Sequence, residues 1–222
     1  MDKSPLITSN HSALFQIDVY VVVFTLRENR LQVLLNDLPS AGAWQIPGLA
    51  LPTDLSLEET AAQCVAKYTG LHEAYLEQLY TYGDPDRNAV SVVYFALVPA
   101  DSLLTPLDES AADWFPVDTL PPLILDHGDI LTYALRRLRY KLEYSAVGFE
   151  LLPDYFSLSE LQSTYEIILG EKLDKRNFRR RILQAGIIES TPRRRTGEGR
   201  PAQLYRYRPD AVAEVKARRL FP

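Results

Sequence analysis

The chain has 222 residues, 46% of them hydrophobic and 24% charged, which is material for one large packed domain or two modest ones. A single cysteine, Cys64, excludes an intramolecular disulfide and a cysteine-cluster zinc site, and three scattered histidines offer no metal-ligand spacing, so neither metal nor cofactor is expected. No apolar run approaches the roughly 18 residues of a membrane span, and residues 1–11 lack an apolar signal core, so the expected location is the cytoplasm, with no membrane partner.

The formal net charge of −5 conceals a division. Residues 1–150 carry 9 basic and 20 acidic side chains, whereas residues 151–222 carry 15 and 9. A polyanion is repelled by the first part and attracted to the second. The chain is therefore read as two domains, 1–150 and 151–222, of which only the second suits a nucleic acid.

In chain order, the apolar runs 17–26 and 31–35 flank Arg27-Glu28-Asn29-Arg30 and predict a β-hairpin. Residues 56–68 predict a helix. Ser56 is its N-cap, Glu58 and Glu59 fill its first turn, Leu57, Ala61, Cys64, Val65 and Tyr68 form its apolar face, and Gly70 ends it. Strands are expected at 79–82 and 90–98, a tryptophan-bearing segment at 112–117, and a helix from about 127 to 144 capped by Asp126. The order is mixed α/β with strands dominating.

Trp44-Gln45-Ile46-Pro47-Gly48-Leu49, then Leu57-Glu58-Glu59-Thr60-Ala61-Ala62 and Thr69-Gly70-Leu71, resembles the loop-helix-loop signature of Nudix hydrolases, Gly-x5-Glu-x7-Arg-Glu-U-x-Glu-Glu-x-Gly-U. Counting back from Gly70, the signature arginine falls on Gln63, its neighbouring glutamate on Cys64, and the two metal-binding glutamates on Lys67 and Tyr68. The upstream glutamate falls on Leu55, and Leu49 stands where glycine is expected. Hydrolysis of this kind needs Mg²⁺ held by carboxylates, and a lysine at a ligand position repels it, so no enzymatic activity is expected. Glu58 and Glu59, at the helix start, are explained by capping and the helix dipole.

Residues 156–170 predict a third helix, with an apolar face through Leu161, Tyr165 and Ile168. A short turn anchored by Leu173 leads to Asp174, the N-cap of a basic helix ending at Gly186. Phe178, Ile182 and Ala185 point inward on that helix, and Lys175, Arg176, Arg179 and Arg180 share the opposite side. This is a helix-turn-helix. Strands follow at 187–190 and 203–208, and the tip between them, 192–201, is too polar and glycine-rich to pack and suits a wing on phosphates or in the minor groove. A basic run alone is usually a solvated face; its place inside a helix-turn-helix is what favours DNA. Lys175 is a contact candidate, and Arg176, Asn177, Arg179 and Arg180 are placed to reach base edges. Arg193, Arg194, Arg195 and Arg200 are assigned to phosphates.

A Nudix-like frame without its carboxylates, followed by a winged helix, resembles the Nudix-related transcriptional regulators of the NrtR type, over about residues 14–208. Tyr82-Gly83-Asp84-Pro85-Asp86-Arg87, Ile124-Leu125-Asp126-His127, Gly148-Phe149-Glu150-Leu151-Leu152-Pro153 and Leu173-Asp174-Lys175-Arg176-Asn177-Phe178-Arg179 carry the resemblance besides the box. It implies an α+β fold, an N-terminal Nudix-like mixed α/β sandwich followed by a C-terminal winged helix-turn-helix domain. It also implies a homodimer that represses transcription at double-stranded operator DNA and senses a small effector, such as ADP-ribose or, in the AraR-type branch, arabinose.

Candidate effector residues are Asp84, Asp86 and Arg87 between two strands, Gln63 and Lys67 on the box helix, Trp44 and His127. Each has a structural alternative: a surface turn for the first three, exposed helix for Gln63 and Lys67, core or interface for Trp44, and helix capping for His127 after Asp126. The acidity of the first domain and its lost metal ligands weight the expectation toward a neutral sugar. The competing readings are a Mg²⁺-dependent hydrolase of ADP-ribose or another nucleoside diphosphate, and an RNA-binding module in which Tyr205 and Tyr207 stack bases. The joint between the domains, the 127–144 helix with residues 145–153, is expected to be rigid.

Overall fold

The computed structural model describes residues 15–84, 88–103, 112–196 and 201–208. Its first part is a mixed sheet in the order β3 (Ala43–Gln45), β2 (Arg30–Leu38), β1 (Gln16–Arg27), β6 (Ala89–Leu97) and β5 (Tyr75–Asp84), with β4 (Gly48–Ala50) added to β1 and β7 (Ala112–Pro116) added to β2. The long β1 (Gln16–Arg27) and β2 (Arg30–Leu38) form the expected hairpin, turning through Glu28 and Asn29 at φ 53° and 57°. Both residues take the left-handed conformation that a two-residue hairpin turn demands, which Asn tolerates better than most side chains.

β1 alternates its apolar residues between two cores. Val19, Val21 and Val23 face α1 (Leu57–Thr69), together with Ala61, Cys64, Val65 and Tyr68. Val22 and Phe24 face α2 (His127–Leu142), together with Ile130, Ala134, Leu138 and Leu142. A strand buried on both faces needs this near-continuous apolar run, and β6 (Ala89–Leu97), its parallel neighbour, has the same character. The result is the mixed α/β sandwich expected for a Nudix-like domain.

α1 starts at a capping box. Glu59 N–H donates to Ser56 Oγ at 3.2 Å, and Ser56 N–H donates to Glu59 Oε2 at 2.8 Å. α2 differs from expectation at its start. Asp126, at φ −95° and ψ 11°, makes no side-chain cap, because the chain enters the helix already turned and Asp129 and Ile130 N–H bond to its backbone oxygen. Two three-residue strands were not anticipated, β3 (Ala43–Gln45) and β4 (Gly48–Ala50). β5 (Tyr75–Asp84) begins four residues before the expected 79, and β7 (Ala112–Pro116) holds the tryptophan segment.

The second part is a winged helix. β8 (Phe156–Ser157) leads into α3 (Leu158–Leu169) through a second capping box, Ser157 with Glu160, and α4 (Lys175–Ala185) follows. β9 (Ile188–Arg195) and β10 (Ala202–Tyr207) pair antiparallel, and β8 closes the sheet on β10. Of the loose tip expected at 192–201, residues 192–195 are strand instead, and 197–200 lie outside the described residues. β9 continues through Pro192 to Arg195, because Arg194 and Arg195 stay in register with Gln203 and Ala202, and Thr191 Oγ1 donates to the Leu204 carbonyl at 3.0 Å.

The two parts share one core. Leu142, the short 3-10 helix Val147–Leu151, Phe156, Leu161, Tyr165, Ile168, Phe178 and Ile182 belong to the same buried cluster as Phe24 and Leu138. Gly148 is a close-packed point of the joint, since a Cβ there would lie 2.9 Å from both Leu142 Cδ2 and Tyr165 Cε2. Overpacking of this kind costs about 1–3 kcal/mol. Gly148→Ala is expected to lower urea-unfolding stability by that amount, and an unchanged midpoint would show that the joint yields to a methyl group.

Candidate functional site

The basic helix is built from the sequence upward. Asp174 Oδ1 accepts the Asn177 N–H at 2.7 Å, and Gly186, at φ 66°, ends the helix with its N–H on the Leu183 carbonyl. Phe178 and Ile182 are buried and fix the inner face, while Lys175, Arg176 and Arg180 are exposed on the outer one. Arg180 donates to Asn177 Oδ1 at 2.8 Å, so these two present a joined polar edge. Arg179 is different. Its guanidinium donates to Ser159 Oγ on α3 at 3.0 Å, and its Nε is buried without a hydrogen-bond partner. It braces α4 on α3 in this state, whereas Arg176 and Lys175 make no side-chain hydrogen bond to the described residues.

The turn between the helices hangs on one carboxylate. Glu166 Oε1 accepts from Gln162 Nε2 at 2.9 Å and from the Leu173 N–H at 3.1 Å, and Oε2 accepts from Lys172 Nζ at 2.8 Å. Gln162 also donates to the Leu173 carbonyl at 3.1 Å. These donors, Lys172 first, hold the Glu166 carboxyl down at about 2, well below the usual carboxylate range. Helical spacing relates Glu166 to Gln162 alone, because Lys172 and Leu173 lie six and seven residues ahead across a turn.

The wing strand is pinned to α3. Arg195 forms an ion pair with Glu160, the residue that also closes the α3 capping box, and donates to the Tyr155 carbonyl. The Arg193 guanidinium lies 4.0 Å from the Tyr155 ring centroid. Arg194 is exposed, and Arg200 lies outside the described residues.

The candidate effector residues that the structure describes do not converge on one place. Trp44, on β3, packs edge-on against Phe115 with centroids 4.6 Å apart; its N–H donates to the Pro122 carbonyl and its carbonyl accepts from Ile124. His127 is buried at the start of α2, where Nδ1 accepts the Ile46 N–H at 2.9 Å and the ring meets Tyr20 edge-on at 5.1 Å. These two therefore share the α2 face of the sheet. Gln63 and Lys67 ride on α1 across the sheet, Gln63 exposed and the Lys67 ammonium 5.0 Å from the Tyr68 ring centroid. Asp84 ends β5 in register with Ala89, and Asp86 and Arg87 lie outside the described residues.

At the box positions, Cys64 and Tyr68 are buried in the α1 core. Burial pushes the Cys64 thiol up to about 12, so it stays protonated. Among the described residues, no group of three or more His, Cys, Asp or Glu side chains is placed to hold a metal ion. Mg²⁺ asks for hard carboxylate oxygens, and Gln63, Cys64, Lys67 and Tyr68 supply none at these positions.

Residues 148–207 match the model of the NrtR DNA-binding winged helix domain. Over 208 residues the chain is 35% identical to the ADPR responsive transcriptional repressor NtrR of Acinetobacter baylyi, a match that covers 88% of this chain and 82% of the relative. The chain belongs to the NrtR family of Nudix-related transcriptional regulators. The crystal structure of Shewanella oneidensis NrtR complexed with a 27-mer DNA is similar over 89% of this chain and 95% of that one, with a TM-score of 0.79 at 34% identity. A MutT/nudix family protein from Enterococcus faecalis, at 20% identity and a TM-score of 0.69 over 93% of this chain and 90% of its own, shares the fold. This NrtR-family chain therefore carries a DNA-binding winged helix domain, within which α4 lies, and transcription regulation is its family's role.

The Glu166 cluster carries a pH signature. A carboxyl held at about 2 contributes stability fully above its unfolded value near 4.5, and loses it as pH falls toward 2. Glu166→Gln is therefore expected to flatten the acid-side fall in unfolding midpoint over that window. Identical acid profiles for the two proteins would show that the turn does not depend on the charge.

Proposed function

We propose that the chain is a homodimeric, cytoplasmic repressor that holds operator DNA through its winged helix and releases it when the Nudix-like domain, about residues 1–150, binds ADP-ribose. One observation carries this reading: a helix-turn-helix with an exposed basic rank shares one packed core with a Nudix-like frame. The 35% identity to a repressor named for its ADP-ribose response supports the effector, and the 27-mer complex of a relative supports the DNA partner. Homodimerisation follows the usual logic of helix-turn-helix proteins, which read two half-sites about one helical turn apart.

The sugar expectation finds no support among these relatives. Its weakness was physical. The net charge of a domain sets a field that salt screens over about 10 Å, whereas a diphosphate is held by the N–H groups and cations it touches. Binding without hydrolysis is proposed for the same domain, on the strength of Gln63, Cys64, Lys67 and Tyr68 standing where the signature places its arginine and glutamates.

The test is fluorescence anisotropy with a duplex selected by the protein from random DNA, at about 150 mM salt, where nonspecific binding is weak. ADP-ribose is expected to release the duplex and arabinose to leave it bound; release by arabinose alone would replace the effector assignment. Arg176→Ala is expected to weaken the selected duplex by roughly tenfold, the size of one lost bidentate base contact, and random DNA much less. Equal loss on both would move Arg176 to the phosphate contacts. With Mg²⁺ and ADP-ribose, no AMP above the protein-free blank is expected. Turnover would establish the hydrolase reading in its place.

A further inference from the structure

α2 touches the machinery at both of its ends. At its first residue, His127 Nδ1 accepts the N–H of Ile46, in the segment between β3 and β4. Twelve residues on, about 18 Å along the helix axis, Arg139 Nε donates to the carbonyl of Ile168 at 2.8 Å. Ile168 lies in the last turn of α3, where carbonyls have no partner within the helix. Gly170 closes that helix at φ 78°, and a Cβ there would meet Arg139 Nη2 at 3.7 Å, so the guanidinium lies against the negative end of the α3 dipole.

From that point the bonds continue without a gap. The Gly170 N–H is held by the Glu166 carbonyl at 2.9 Å. The Glu166 side chain holds Leu173, and Asp174 then caps α4. Beside Arg139, a cavity of about 490 Å³ opens between Arg30 and Asp118 on one side and Glu166 and Lys172 on the other. The seam is therefore part bonded and part open, and Arg139 is the side chain that crosses it at the turn.

We propose that α2 is the rod that couples the sensing domain to the DNA-binding domain, and that Arg139 is the positioning residue that ties it to the C-terminus of α3. A shift of the 44–48 segment moves the start of α2 through His127. Its far end then carries α3, the turn and α4 as one piece, through Arg139 and the Gly148 contact. In a dimer, a small rotation of that piece changes the separation of the two recognition helices, to which half-site binding is sensitive. The proposal rests on the effector reading above for its trigger, and on the bonds just described for its path.

The test compares wild type, Arg139→Ala and Arg136→Ala, the last an exposed arginine on the same helix that makes no bond to α3. Each is titrated with the selected duplex with and without ADP-ribose, and each melting temperature is recorded. Wild type and Arg136→Ala are expected to lose affinity about tenfold on adding ADP-ribose, a typical allosteric coupling, and Arg139→Ala less than about threefold. Its melting temperature is expected to stay within about 2 °C, as for other exposed substitutions. An Arg139→Ala response equal to wild type overturns the proposal. If the wild-type complex ignores ADP-ribose, the effector reading falls, and amide hydrogen exchange decides the coupling. Faster exchange across residues 170–174 in DNA-free Arg139→Ala supports it, and an unchanged rate overturns it.

Discussion

Tyr165 is fully buried at the meeting of four elements, and the geometry of the molecule is set around its ring. One edge meets Phe178 of α4, with centroids 5.6 Å apart, and the other fills the space left by the missing side chain of Gly148. Burying a side chain of this size contributes about 2–3 kcal/mol, and truncating it would open a cavity in a core that serves both domains. The sandwich and the winged helix meet in this one buried cluster. Their relative placement depends on this contact and on Leu142 beside it.

The charges are arranged to a different rule from the core. The acidic excess lies in the sandwich and the basic excess in the winged helix, yet the basic residues there are not equivalent. Lys175, Arg176 and Arg194 face solvent, whereas Arg179, Arg193, Arg195 and Arg206 are engaged by Ser159, Tyr155, Glu160 and Glu189. A linear count of arginines does not separate these groups. Only the second set shapes the protein's own surface before any partner arrives.

Local rules made much of the fold legible. Ser56 before α1, Asp174 before α4, and Gly70 and Gly186 at the helix ends all act where short-range spacing places them. The helix faces were equally readable, because burial follows a 3.6-residue period. What escaped depends on distant partners. β3 and β4 are three residues long and exist only because β2 and β1 offer them edges. The early start of β5 includes Glu77, which reads as loop until Lys141 and Arg137 of α2 are seen to hold it. Pro192 argues against a strand, and the paired register with β10 overrides it. The site was legible in kind and not in detail: the basic face of α4 follows from periodicity, whereas Arg139, Glu166 and the bracing role of Arg179 require the fold.

The engaged wing arginines have a consequence for how binding responds to salt. Duplex DNA carries a condensed layer of small cations, and each protein charge that neutralises a phosphate sets about one of them free, which makes affinity fall as salt rises. Arg195, already neutralised by Glu160, must give up that partner to contribute such a release, and the carboxylate it leaves must gather an ion of its own. The wing thereby trades long-range electrostatic attraction for a shape that is set in advance. On the proposed reading, its grip on DNA is correspondingly less dependent on ionic strength than its number of arginines implies.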